Sequence, residues 1–247
     1  IDVVGAVEAP ENNLRLEASL VEIQSRNLHV PMGLPDSGLT AASINLLVDE
    51  QLQVSGWIRG NSLVDIDVTS TTGQNAMAGY SDGPNSITTD ITAVIQTFNN
   101  SSLISMDAVG TIRNAGLVEA QGTGSQLTVN ADLAVRNLEG GVLSAPGASS
   151  SIEAVGGTWL WIESGSAVMA GVRFNVVGTT PIPEVLGTNS TIQLTSPSEM
   201  WLAGSVTASS SMTLSAGLRN FDHNDYFDTL PGRVLAATQP SADRITS

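Results

Sequence analysis

The chain has 247 residues, of which 41% are hydrophobic, 4% aromatic and 13% charged; it carries 24 Gly, no Cys, nine basic residues that are all Arg, and a formal net charge of -15. Without Cys there is no disulfide scaffold or thiolate metal site. With no basic face there is no nucleic-acid binder, and no apolar run approaches the ~18 residues that would insert in a bilayer.

Ile1 opens straight into an alternating pattern, with no leader of charged and then apolar residues. The sequence therefore reads as a mature piece or a window of a longer polypeptide. Strong acidity disfavours anionic surfaces such as bare phospholipid, and the lack of Cys fits an exported bacterial protein. Sequons at Asn99, Asn100 and Asn189 carry little weight.

Along the chain one short signature recurs: a small residue, any residue, then apolar, any, apolar. Its first apolar residue falls at Val21, Ile44, Val64, Ile104, Leu127, Ile152, Ile192 and Met212, with gaps of 23, 20, 40, 23, 25, 40 and 20. Each gap of 40 leaves room for a weaker copy, at Ile87 in the first and Val172 in the second. Ile1 with Val3 before Val21, and Val234 after Met212, extend the series to about eleven copies of a unit slightly longer than 20 residues. A Gly followed by a short apolar stretch keeps the same phase, as at Gly56, Gly116, Gly141, Gly165 and Gly204. Between anchor and Gly lies a second alternating patch, such as Leu52/Val54, Leu160/Ile162 and Met200/Leu202. Each unit thus reads as three short strands separated by turn residues.

Alternation with period two collects one set of side chains on one face. A three-strand unit of this size is too small to bury that face alone, whereas units stacked on one another share a continuous interior. The pattern predicts an all-β, right-handed parallel β-helix over residues 1–216, with Ser and Asn ladders at its corners. A β-sandwich is the alternative, but it has no reason to repeat one signature in phase along its length. Loop insertions are expected near residues 73–84 and 178–190, and residues 217–247 are expected to be a tail, a cap or a continuation of the coil.

Units such as SLISMDAVGTIRNAGLVEA (residues 102–120) and SQLTVNADLAVRNLEGGVLSA (residues 125–145) resemble the repeats of filamentous-haemagglutinin-type giant bacterial surface adhesins. That resemblance rests on repeat texture. It implies an extracellular or cell-surface rod used in attachment, matrix formation or as a stalk, and it brings no catalytic residues.

Counting nine residues from the anchors gives an outward stripe of Gln53, Arg113, Arg136, Trp161, Pro181, Trp201 and Phe221. Leu160 and Ile162 flank Trp161, and Met200 and Leu202 flank Trp201, so both indoles are expected to face outward, two layers apart. Two readings stay open: the stripe contacts a glycan, a cell-surface receptor or a partner rod, or a loop or tail of the same chain packs over it. Asp65 and Asp67, spaced i, i+2, would suit Ca²⁺ or glycoside cleavage, but no basic partner accompanies them, and His29 and His223 lie far apart in the repeat order. A solvated face is the expectation there. Asp222, Asn224, Asp225 and Asp228 form an oxygen-rich group that would hold Ca²⁺, although the Gly and distal Glu of an EF-hand loop are missing. No nucleophile elbow or phosphate loop appears. The expected function is therefore non-enzymatic, with no cofactor: a module of an extracellular fibre that associates with its own kind or continues into further solenoid. A polysaccharide lyase or hydrolase, or a carbohydrate-binding module, is the alternative on the same scaffold.

Overall fold

The computed structural model describes residues 2–3, 6–23, 38–69, 85–177, 180–216, 233–236 and 244–245. Among them every regular element is a β-strand and none is a helix. Apart from one two-stranded hairpin, all these strands belong to a single, wholly parallel sheet that wraps around an axis in the manner of a β-solenoid.

The wrapping produces three faces. The first takes residues 13–18, 43–48 and 63–68, then Leu103–Ala108, Gln126–Ala131, Ser151–Gly156, Thr191–Ser196 and Ser211–Ala216. The second takes 20–23 and 51–54, then Ser86–Thr89, Thr111–Asn114, Ala134–Asn137, Trp159–Ile162 and Glu199–Leu202. The third takes 6–9, 38–41 and 57–60, then Val94–Thr97, Leu117–Ala120, Val142–Ala145, Ala167–Ala170, Ser205–Ala208 and Arg233–Ala236.

Register corrects the expected series of anchors. Leu14 is the residue opposite Ile44, while Val21 lies opposite Leu52 on the second face. Ile87 also belongs to the second face, between Leu52 and Ile112. Val234 sits opposite Val206 on the third. Val64 pairs directly with Ile104, and Ile152 with Ile192, so each gap of 40 is spanned by one coil and holds no extra copy. Among the described residues one column on the first face runs through Leu14, Ile44, Val64, Ile104, Leu127, Ile152, Ile192 and Met212, with Arg244–Ile245 pairing beyond. The physical reason is that apolar-x-apolar alternation is the same on all three faces, so the pattern identifies a strand without saying which face it joins.

Val172 leaves the coil altogether. Val172–Val177 and Thr180–Val185 form an antiparallel hairpin between the third face and the first, beginning ahead of the insertion expected at 178. Residues 73–84 and the tail around 217–232 lie outside the described residues. Residues 24–37 lie outside them as well.

The interior is aliphatic. Leu39, Ile44, Leu52, Ile58, Val64, Ile66, Ile87, Ile104 and Met106 are fully buried, and no aromatic side chain is buried among the described residues. Flat, closely spaced rungs leave room for branched aliphatics stacked on their own kind, each worth ~1.5–3 kcal/mol when removed from water.

Polar stacks tie the corners. The small residue of the signature is Ser102, Ser125, Ser150 and Ser190 in successive coils, all buried. Ser102 and Ser125 share a hydrogen bond of 3.1 Å, and Ser102 donates to the Gln121 carbonyl at 3.0 Å. Ser150 donates to the Gly122 carbonyl and Ser190 to the Gly147 carbonyl. The residue before each Ser, namely Ser101, Gly124, Ser149 and Asn189, has φ between 55° and 70°. That left-handed turn reverses the chain into the first face, and it favours Gly, Asn or a small polar residue. At the end of the second face Thr89 donates to Asn114 Oδ1 at 2.6 Å, and Asn114 Nδ2 donates to Asn137 Oδ1 at 2.8 Å.

Candidate functional site

Among the described residues, the outward side of the second face carries an aromatic group that spans rungs. Arg113, Arg136, Trp161 and Trp201 occupy one register position on four successive rungs. Their neighbours two residues back are Thr111, Ala134, Trp159 and Glu199. Leu160 and Ile162 are fully buried and Met200 and Leu202 nearly so, which turns the intervening indoles outward.

Trp161 and Trp201 are direct register partners, so they sit on adjacent rungs ~4.8 Å apart rather than two layers apart. The cause is the hairpin, which occupies the space the sequence assigned to a coil of its own. For the same reason Pro181 is absent from the stripe: it lies in the hairpin, opposite Val176. Gln53 keeps its place in the register position, with Thr88 between it and Arg113 and Glu22 beyond it. Phe221 lies outside the described residues.

Trp159 is the member that counting from anchors missed, although its i, i-2 spacing from Trp161 put it on the same face. The two ring centroids are 6.3 Å apart with planes tilted by 38°. The Arg136 guanidinium lies over the Trp161 ring, 4.7 Å from its centroid, and is also ion-paired with Glu163. This double contact holds the guanidinium over one side of the indole, a cation–π arrangement strengthened by partial burial. Trp201 is 39% exposed. On the third face the outward positions Glu119, Ser144, Met169 and Thr207 are buried, while Trp57 is half-buried with the Arg59 guanidinium 5.5 Å from its ring centroid. Among the described residues the second face is distinguished by three indoles on two adjacent rungs.

The first face carries the carboxylates. Asp67 is the register partner of Asp107, and Asp65 is that of Ser105. Asp107 was not singled out by sequence, yet it stands three residues from its anchor, as Asp67 does. Ser105 donates to Asp107 at 2.7 Å and Asn130 Nδ2 donates to it at 3.1 Å. Partial burial, followed by the Asp107 charge, raises the pKa of Asp65. Burial, then Asp65, then Asp107, raises that of Asp67. Among the described residues no three His, Cys, Asp or Glu side chains are grouped to hold a metal ion. His29, His223, Asp222, Asn224, Asp225 and Asp228 lie outside them.

No protein-family model matches the chain, no curated protein matches it, and no solved structure does.

Proposed function

We propose that the chain is a stiff, non-catalytic rod segment of an extracellular bacterial fibre or surface adhesin, a right-handed β-helix of about nine coils. The observation that carries this reading is the single in-register column from Leu14 to Met212. Every coil adds one rung of backbone hydrogen bonds to the same ladder, so at ~4.8 Å per rung the segment reaches roughly 40 Å. Bending such a column requires shearing many bonds and a shared apolar interior together, which is the mechanical property a stalk needs. Right-handedness follows the strong preference of parallel crossover connections. Repeat texture like that of filamentous-haemagglutinin-type adhesins, the absence of Cys and the acidic surface support a cell-surface location, with self-association or further solenoid as the partner.

Small-angle scattering and a polysaccharide screen test the reading together. The expected result is a rod-like form factor with a constant cross-section, and no release of reducing ends from acidic or neutral polysaccharides. Steady release that disappears in Asp65→Asn or Asp107→Asn would replace the rod with an enzyme. A compact form factor would remove the rod itself.

A further inference from the structure

We propose that the edge of strand Ala6–Ile23 turned away from Gly38–Val54 is the seat of a further parallel coil of the same polypeptide, which joins at Asp2–Val3 and closes the apolar interior over Val7, Leu14 and Leu16. The inference rests on the reading of the chain as a rod segment, and it names the end at which that rod continues and the kind of strand it takes. Three observations carry it.

The first is the exposure of interior positions. Val7 holds the register position of Leu39 and Ile58, and Leu14 and Leu16 hold those of Ile44 and Leu46. Leu39, Ile58 and Ile44 are 0% exposed, whereas Val7 is 42% exposed and Leu14 and Leu16 are half-buried. Side chains of interior parity thus meet water at this rung and forfeit part of the gain that burial brings to the same positions one rung on.

The second is strand polarity. Among the described residues, the strand that pairs with this edge is Asp2–Val3, parallel to Glu22 and Ile23. It supplies the second-face piece of one more rung, with Val3 at the register position of Ile23 and Val54. The edge therefore already templates a parallel strand. From Val7 to Ile23, no register position that shares the parity of the buried residues opposite is charged, so the inward charge that commonly blocks an edge is missing.

The third is the opposite end, and it selects the occupant. There Arg233–Ala236 pairs with Ser205–Ala208, Arg244–Ile245 pairs with Thr213 and Leu214, and Val206, Met212 and Leu214 are buried. A second copy stacking head to tail would have to bring that covered end. A copy turned end for end would bring antiparallel strands to an edge that Asp2–Val3 holds in parallel. A coil continuous with Asp2–Val3 meets neither obstacle. It needs alternating small aliphatics on its inner side, as every described rung has.

The test extends the whole chain at Ile1 with a second copy of its own residues 117–134, which carry a third-face strand, Leu117–Ala120, and a first-face strand, Gln126–Ala131. In continuous register the copied Val118 falls over Val7 and the copied Leu127 over Leu14. In the parent, hydrogen exchange should be faster over residues 13–18 than over 43–48. In the extended chain it should slow over 13–18 on the order of tenfold or more, with a higher thermal midpoint. An extension carrying Val118→Asn, Leu127→Asn and Val129→Asn in the copied residues should do neither. Exchange over 13–18 as slow as over 43–48 in the dilute parent overturns the proposal, as does no slowing on extension or equal slowing by the Asn-bearing extension. Slowing in the parent as its concentration rises, with doubled mass in light scattering, overturns the choice of occupant in favour of a second copy. The rod reading fails separately, on a compact scattering form factor; a rod whose exchange ignores the extension loses only this seat.

Discussion

Asn137→Ala tests whether the buried amide stack holds the coils in register. Asn137 is fully buried. Its Nδ2 donates to the carbonyls of Gly141 at 3.1 Å and Ala167 at 3.0 Å, and its Oδ1 accepts from Asn114 Nδ2 at 2.8 Å. Truncation removes all three bonds. The Gly141 carbonyl keeps the Ala167 N–H at 2.9 Å, so the main losses are the acceptor for Asn114 and the donor to Ala167. A buried group left unsatisfied costs about 1–3 kcal/mol, and the emptied volume adds to it. The expected destabilisation is about 2–4 kcal/mol. In a chain of this size each kcal/mol lowers Tm by about 2–4 °C, so a drop of about 5–15 °C should appear in calorimetry. Solenoids need not unfold as one unit, so hydrogen exchange should be read alongside, with faster exchange centred on residues 111–114, 134–137 and 159–162. Combining Asn114→Ala with Asn137→Ala should cost less than the sum of the two by about 0.5–3 kcal/mol, because the two amides share one hydrogen bond that either truncation removes. Thr128→Ala, a half-exposed outward position, serves as the control and should stay within about 0.5 kcal/mol. A Tm within 1 °C of the parent, with exchange unchanged, would refute the idea that this stack contributes to the register.

Two further outcomes are expected. Gly147→Ala should strongly lower the thermal midpoint in calorimetry, since a Cβ there would meet the Gly122 carbonyl oxygen at 1.8 Å; at Gly124 the nearest atom is the Ser101 hydroxyl at 3.5 Å, so Gly124→Ala bears only the cost of its left-handed φ of 70°, and a change at 147 no larger than at 124 would contradict the close corner packing. The first-face carboxylates should make stability fall with rising pH. Asp65 and Asp67 have folded pKa values above the ordinary aspartate value of 3.8, so the folded state holds protons that the unfolded chain has already lost, and the penalty grows from about pH 3.8 upward through the raised values and is complete above them. Asp67→Asn should therefore flatten that part of the urea-midpoint profile and raise the midpoint at pH 7, and an unaltered profile would remove the coupling.

What the sequence determined by itself was the kind of element and the kind of interior. Strict alternation, small aliphatic residues and turn residues at short intervals leave stacked parallel strands as the economical way to bury a narrow face. The small residue before each anchor was legible too; its reason, a buried serine corner preceded by a left-handed turn, needed the coordinates. Tertiary structure alone decided which face each strand joins and how many residues one coil contains. Val21 and Ile87 carry the same local signal as Leu14 and Ile44, and only hydrogen-bonded register tells them apart. It likewise brought Trp161 against Trp201 across 40 residues, by letting the hairpin leave the coil between them. Local sequence reports the side a residue faces, because that depends on backbone parity. It does not report the neighbour on the next rung, because that depends on the length of chain spent in excursions, and excursions have no period.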